Sequence, residues 1–239
     1  MCLAFVLTAV ASISNEPSRN SSFVFFKARY IVELTGKKAA NLQDFVDYLQ
    51  TASKSSIFYH IYHPLLDSHL VPYEFPNDFS YWFSDTLQDK DLAEQVADFE
   101  LPESGGLESV RRILLSRIER ALRDRIMYDV RPGSEFNFLN CRVVVLPTGI
   151  VAKNVDELAD GISEASELTI FYHMVTSRLF REARYDDFSQ WIIQNSTDTE
   201  LAEDIRAIDP TTHVNVKSIQ QEVMKIFQRY MKQKGLGQI

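Results

Sequence analysis

Hydrophobic and polar residues alternate in two distinct ways along this chain, and the first way opens each half of it. Runs rich in β-branched and aromatic residues span 23–32 and 138–146, a length and composition typical of a strand or a strand pair. Thr35-Gly36 and Thr148-Gly149 follow these runs. Because glycine tolerates a positive φ, each Thr-Gly pair predicts a turn that ends the strand.

The second pattern is helical. Asn41 and Asn154 are favourable N-caps, and an acidic residue three positions later predicts capping boxes and helices running to about residues 53 and 166. Apolar residues at i, i+1, i+4 and i+5 then predict a helix in each half. Asn77-Asp78 and a short Leu-Ala-Glu segment mark two further helix starts. The predicted helices that follow the caps cover about 56–66, 169–180, 78–83, 187–191, 107–121 and 216–230.

The two halves also share residues. Residues 23–60 align with 136–173 at a constant offset of 113, and fifteen of the 38 positions are identical. The match resumes at an offset of 109, where Asp78-Phe79-Ser80 corresponds to Asp187-Phe188-Ser189. We therefore predict a tandem duplication of a unit of about 110 residues.

The predicted fold class is mainly α (α+β). Each unit has an N-terminal strand followed by four to five helices, and the two units are related by a pseudo-two-fold axis. The predicted organisation is an N-terminal extension at 1–22, repeat unit 1 at 23–130, a linker at 131–135 and repeat unit 2 at 136–239.

The recurring string Thr-Gly-x-x-Ala-x-Asn, Ser/Thr-Ile-Phe-Tyr-His, Asn/Asp-Asp-Phe-x-x-Trp and Leu-Ala-Glu resembles an uncharacterised prokaryotic family, a domain of unknown function. The resemblance covers nearly the whole chain after residue 22 and brings no activity, cofactor or catalytic residue. It implies an association with carbohydrate-active enzymes. Tyr62 stands where that family's motif has a second histidine.

Charge and cysteine content exclude several classes of protein. A net charge of −8 argues against nucleic acid, which needs clustered Lys and Arg. Cys2 and Cys141 are too few for a disulfide framework or a thiolate zinc site, which favours a reducing, cytoplasmic location. The apolar run Leu3 to Ala11 is a signal peptide, a packing element or part of a mis-set start, and no segment is long enough for a membrane span.

The Tyr-His pairs are the main candidates for chemistry, since each histidine lies away from the apolar stripe of its helix yet recurs in both halves. One interpretation is a structural hydrogen bond to a helix end or to the other unit. The other is a polar pocket in which the histidine binds a ligand or moves a proton. The candidate ligand-binding residues are Tyr59, His60, Asp78, Trp82, Tyr172, His173, Asp187 and Trp191.

Other motifs favour structural interpretations. His60, His63 and Asp67 share a helix face that could hold a metal, but a solvated polar face is the simpler interpretation, so we predict no metal and no cofactor. Trp82 and Trp191 could be stacking platforms, although their helical spacing favours core packing. Arginines between 111 and 125 alternate with glutamates and an aspartate, which predicts a salt-bridged surface helix. No nucleophile elbow or phosphate-binding glycine loop occurs.

The sequence therefore favours a non-catalytic module that binds or regulates a protein partner, and the family resemblance implies an association with carbohydrate metabolism. The alternative is a small-molecule or enzymatic site near the Tyr-His helices or between the repeats. A broad exposed apolar patch would favour the module, and a deep polar pocket at His60 or His173 would favour the alternative.

Overall fold

The computed structural model describes residues 21–66, 75–98, 106–123 and 128–235 and has an α+β fold. Two strands, β1 (Phe23–Ala39) and β2 (Phe136–Ala152), pair in one two-stranded sheet. Thr35 lies opposite Phe138 and Glu33 opposite Arg142, so the strands run in opposite directions.

Helices follow each strand. After β1 come α1 (Leu42–Thr51), α2 (Lys54–Tyr62), a 3-10 turn (His63–Leu65), α3 (Asp78–Asp85), α4 (Lys90–Ala97) and α5 (Gly106–Leu122). After β2 come α6 (Val155–Glu164), α7 (Glu167–Phe171), a π-helical turn (Tyr172–Thr176), α8 (Ser177–Phe180), α9 (Asp187–Asn195), α10 (Thr199–Arg206), a 3-10 turn (Pro210–Thr212) and α11 (Val216–Gln233). None of these described helices is long and apolar enough to cross a membrane.

The chain forms two compact units that divide the strands differently from the sequence repeats. One unit spans Tyr30–Arg142, and the other contains the described residues up to Arg29 together with those from Val143 onward. Each strand therefore contributes its first part to one unit and its second part to the other. The sequence copies, 23–130 and 136–239, remain a prediction about the organisation of the chain.

Aromatic residues of the strands form the core of each unit. In the unit spanning Tyr30–Arg142, Phe136 and Phe138 of β2 are buried against Phe45 and Phe79 of helices α1 and α3. Residues from the second sequence copy thus complete the core around helices of the first copy.

The other unit repeats this arrangement with the strands reversed in role. Phe23 and Phe25 of β1 pack against Phe188 of α9, and Phe23 also contacts Trp191. Gly161 of α6 permits this approach, because a Cβ added there would lie 2.6 Å from the Phe25 ring.

The Thr-Gly pairs do not end the strands, which corrects the sequence prediction. Gly36 and Gly149 do have positive φ, at 73° and 89°. However, the Thr35 hydroxyl donates to Phe138 O and the Thr148 hydroxyl donates to Phe25 O at 2.9 Å, so each threonine ties its strand to the other. Each strand therefore continues past its glycine.

The predicted caps are confirmed. Asn41 accepts the Asp44 amide and Asn154 accepts the Glu157 amide, both at 2.9 Å. The carboxylate of Asp44 accepts the backbone N–H of Ala40 at 3.1 Å, one residue before the predicted capping-box contact. The helices predicted to reach residues 53 and 166 end earlier, at Thr51 and Glu164.

The helix predicted over about 169–180 is interrupted, which the apolar spacing did not indicate. Residues Tyr172–Thr176 form a π-helical turn between α7 and α8, whereas α2 ends in a 3-10 turn at His63–Leu65. Because of this interruption, six α-helical segments follow β2 among the described residues, one more than predicted. Turns of the π type are often found at functional sites, and this one contains Tyr172 and His173.

Candidate functional site

His60 joins helix α2 to the strand β2. Its Nε2 accepts the backbone N–H of Leu139 at 2.9 Å, and its Nδ1 lies 2.8 Å from Asp78 Oδ2 at the start of α3. The histidine is only 2% exposed. Its ring therefore connects three elements of the unit spanning Tyr30–Arg142.

His173 has the same arrangement in the other unit. Its Nε2 accepts the backbone N–H of Phe26 at 2.9 Å, and its Nδ1 lies 2.7 Å from Asp187 Oδ2. This histidine is also 2% exposed. Arg181 in turn donates to the second oxygen of Asp187 and to the hydroxyl of Ser177.

The hydrogen bonds define the tautomer of both rings. A nitrogen that accepts an amide N–H carries no proton, so Nε2 is unprotonated and Nδ1 donates to the aspartate. Both nitrogens of each neutral ring are then in use. Neither His60 nor His173 has a ring nitrogen left to take a proton from a substrate, which weakens the proton-transfer interpretation of the Tyr-His pairs.

The pKa of His173 reflects its surroundings. Burial, and after it the charge of the nearby Arg181, lowers this pKa to about 3, while Asp186 acts in the opposite direction. The ring therefore stays neutral at physiological pH. A neutral ring is what the acceptor role of Nε2 toward the Phe26 amide requires.

The two tryptophans are core residues in the structure. Trp82 and Trp191 are each 6% exposed. The indole of Trp82 donates to Ser134 O at 2.9 Å, and that of Trp191 donates to Ser21 O at 2.7 Å. Since both indoles are buried and each N–H is used within its unit, a stacking platform for a sugar or peptide would require rearrangement.

The remaining candidates lie partly at the surface. Tyr59 is half-buried and stacks on His63, with ring centroids 4.7 Å apart. Tyr172 is half-buried beside His173, and burial raises its pKa. Asp67, which the sequence placed on one polar helix face with His60 and His63, lies outside the described residues.

The capping of α1 and α6 depends on residues that sequence reasoning missed. Arg111 donates to Leu49 O and Ala52 O at the end of α1, at 2.7 and 2.5 Å. Gln220 donates to the corresponding carbonyls of Ile162 and Ala165, at 2.7 and 3.1 Å. Arg111 and Gln220 are different residue types, so only their positions, 109 residues apart, could have indicated the shared role.

The two units differ at the cap of the helix carrying the aspartate. Asn77 accepts the Ser80 amide and donates to Val96 O at 3.2 Å. Asp186 occupies the corresponding position, is 1% exposed and accepts both the amide and the hydroxyl of Ser189. Burial raises the pKa of Asp186, although Ser189 and Arg178 oppose that effect.

Replacing Asp186 by asparagine should stabilise its unit. The raised pKa means that Asp186 favours folding below 3.8, its ordinary pKa, and disfavours folding as the pH rises through the folded value. We expect Asp186→Asn to gain about 1 kcal/mol at neutral pH and little in acid. Denaturant melts at several pH values measure this difference. A gain that grows toward acid would contradict the assignment, and Asn77→Asp should show the opposite change.

A surface cavity lies elsewhere in the unit that includes the residues from Val143 onward. It has a volume of about 250 Å³ between α10 and α11, and its lining includes Asp198, Arg229, Tyr230 and Lys234. None of the predicted ligand-binding residues lines it. Among the described residues, no three His, Cys, Asp or Glu side chains are grouped as metal ligands are.

The fold and the paired histidine contacts define an α+β protein whose recurring residues tie helices to strands. The chain belongs to a family of unknown function (DUF5752), whose model matches residues 20–228. Its structure is similar to that of OrfY from Thermoproteus tenax, with a TM-score of 0.81 and 29% identity over 89% of this chain and 97% of that one. No curated protein matches the chain.

Proposed function

We propose that this protein is a non-catalytic module that binds, and thereby regulates, a protein partner. The proposal rests mainly on an exposed apolar segment of β1. Ile31, Val32 and Leu34 are 52%, 45% and 87% exposed. Adjacent exposed apolar residues on a small soluble unit are typical of a contact surface.

The geometry around the segment suits a side-chain contact with a partner. No third strand among the described residues pairs with β1. Lysines protect strand edges from unspecific pairing, and Lys37 and Lys38 follow the apolar residues after Thr35-Gly36. We therefore expect the partner to cover the apolar side chains rather than extend the sheet.

The two histidine sites support the same proposal, because neither has a ring nitrogen available to a substrate. Both ring nitrogens of His60 and of His173 bind groups within their own units. These two histidines, which recur in both halves of the chain, therefore stabilise the fold. Proton transfer would need one of these nitrogens to be released. A ligand site at Tyr59, Tyr172 or the neighbouring aspartates is the alternative function.

Family resemblance suggests the kind of partner. An enzyme of carbohydrate metabolism, acting in the cytoplasm, is the partner we would test first. Products of genes adjacent to this one, purified and titrated against the protein, provide the candidates.

Binding measurements with matched variants test the proposal. Replacing Ile31, Val32 and Leu34 by serine should weaken partner binding at least about tenfold, since each removed contact contributes about 1 kcal/mol or more. Val214→Ser is the control, because Val214 is 53% exposed in the other unit. Equal binding by the triple variant and the wild type would contradict the proposal.

We also propose that the chain arose by tandem duplication. The same cap, histidine-aspartate-amide contact, indole contact and helix-end contact occur at positions offset by 113 or 109. Independent origin would have to produce each of these contacts twice.

A further inference from the structure

Helix α5 is a basic element of an acidic protein. Residues 106–123 contain five arginines and two glutamates, a net charge of +3, whereas the whole chain has a net charge of −8. The rest of the chain therefore carries −11. Such separation of charge on one helix suggests a surface that meets an opposite charge.

Two of these arginines have internal roles. Arg111 donates to the carbonyls that end α1, as described above. Arg117 donates to Gln95 O and, at 2.5 Å, to Asp98 O at the end of α4. Both side chains satisfy helix-end carbonyls, so they are not available to a partner.

The other three arginines face solvent. Arg112, Arg120 and Arg123 are exposed, and no carboxylate among the described residues lies within salt-bridge distance of them. Arg112 also donates to the Ser109 hydroxyl at 2.8 Å and to Glu108 O at 3.4 Å, which leaves its charge unneutralised. The glutamates expected to neutralise them are placed elsewhere. Glu108 pairs with Arg111 at 3.0 Å, and Glu119 accepts from Gln50 at 3.5 Å. The predicted salt-bridged helix is therefore confirmed only at Arg111, and Asp124 lies outside the described residues.

Helical spacing aligns these arginines. Positions 112, 116, 120 and 123 are separated by three or four residues, so they form one stripe about 16 Å long. Ser116, between the arginines, is exposed as well. A segment of about four or five extended residues, or three helical turns, would cover this stripe.

The unit that contains helix α11 offers an internal comparison. The corresponding positions on α11 hold Gln221, Lys225, Arg229 and Lys232. There, Lys225 pairs with Glu222 at 3.4 Å and Arg229 pairs with Asp204 at 2.5 Å. Two of the three cations in the α11 stripe thus have a carboxylate partner, whereas the three exposed arginines of α5 have none among the described residues.

We propose that the arginine stripe of α5 docks a short acidic segment of a protein partner. Arginine binds carboxylates through two parallel hydrogen bonds, which favours Asp and Glu over a diffuse negative charge. Nucleic acid fits less well, because specific duplex binders neutralise many more phosphates and the remaining −11 charge would repel an extended polyanion. This inference rests on the proposed protein-binding function but concerns a different surface from β1.

Fluorescence anisotropy with a short labelled peptide of alternating Glu and Ala tests the stripe directly. We expect salt-sensitive binding to the full-length protein, and at least a tenfold loss on replacing Arg112, Arg120 and Arg123 by glutamine. Lys217, Lys225 and Lys232 of α11, replaced by glutamine, form the matched control with the same change in net charge. That control should bind the peptide as the wild type does.

Several outcomes would overturn the docking site. These are no peptide binding by the wild type, equal losses in the α5 and α11 variants, or equally tight binding of a DNA duplex. Circular dichroism melts confirm that each variant is folded, and glutamate replacements at the same arginines repeat the test with a larger charge change. The variant in which Ile31, Val32 and Leu34 are replaced by serine should still bind the peptide. Failure of the α5 site can then be distinguished from failure of the proposed function, which rests on β1.

Discussion

Replacing His60 or His173 by alanine should destabilise the protein by similar amounts, about 3 kcal/mol each. Each change leaves a strand amide unpaired and removes the imidazole N–H from an aspartate, of which Asp187 keeps Arg181 as a partner. An unpaired buried polar group costs about 1–3 kcal/mol. The aspartates are partly exposed, at 26% and 14%, so water recovers some of the loss on their side.

The two tryptophans allow each unit to be followed separately. Trp82 lies in the unit spanning Tyr30–Arg142 and Trp191 in the other, and the chain has no third tryptophan. Denaturant unfolding of His60→Ala should shift the Trp82 signal, and His173→Ala should shift the Trp191 signal, each measured with the other tryptophan replaced by Phe. Unchanged midpoints in both variants would refute the structural role and favour a ligand site.

Glutamine at position 173 provides a control that also isolates the effect of pH. Its amide oxygen can accept the Phe26 N–H, so about half of the alanine effect should be restored. His173 has a lowered folded pKa, so its contribution to stability is complete above 6.5 and is lost as the pH falls toward about 3. His173→Gln should therefore lose up to about 1.4 kcal/mol less per pH unit in that window than the wild type.

Replacing Phe138 by alanine should destabilise helices that belong to the other sequence copy. A buried phenylalanine changed to alanine typically costs about 3–5 kcal/mol. Phe138 is 3% exposed and contacts Phe45 and Phe79. The loss should thus appear in the Trp82 signal, although Phe138 lies 56 positions further along the chain than that tryptophan.

Phe25→Ala is the reciprocal change, and it should affect the Trp191 signal. Asn137→Ala is the matched control, because Asn137 is exposed on the same strand beside Phe138. If each phenylalanine variant instead weakened the unit of its own copy, the assignment of the strand segments to the compact units would be wrong.

Local features of the fold were predictable from sequence because their causes are local. Asparagine caps, the apolar stripes of α5 and α11 and the positive φ of Gly36 each depend on a few neighbouring residues. The length of the strands was underestimated, since Thr35 and Thr148 are held by carbonyls more than one hundred positions away. No pattern around a Thr-Gly pair reports such a contact.

The role of the histidines was only half predictable. Their position off the apolar stripe indicated a second contact, and Asp78 and Asp187 were named with them as candidate ligand-binding residues. The strand amide could not be found, because a backbone N–H leaves no mark in the sequence. Likewise, an offset of 113 is the same whether a strand packs on its own helices or on those of the other copy.

The division of each strand between two compact units has a consequence for synthesis on the ribosome. Helices α1 to α5 emerge well before Phe136 and Phe138, so their core stays incomplete until the chain has passed Arg142. The core around Phe23 and Phe25 of β1 stays incomplete for longer still, because α9 is translated more than 150 residues later. A nascent chain thus exposes Phe23 and Phe25 through most of its translation, and chaperones would protect it during that time.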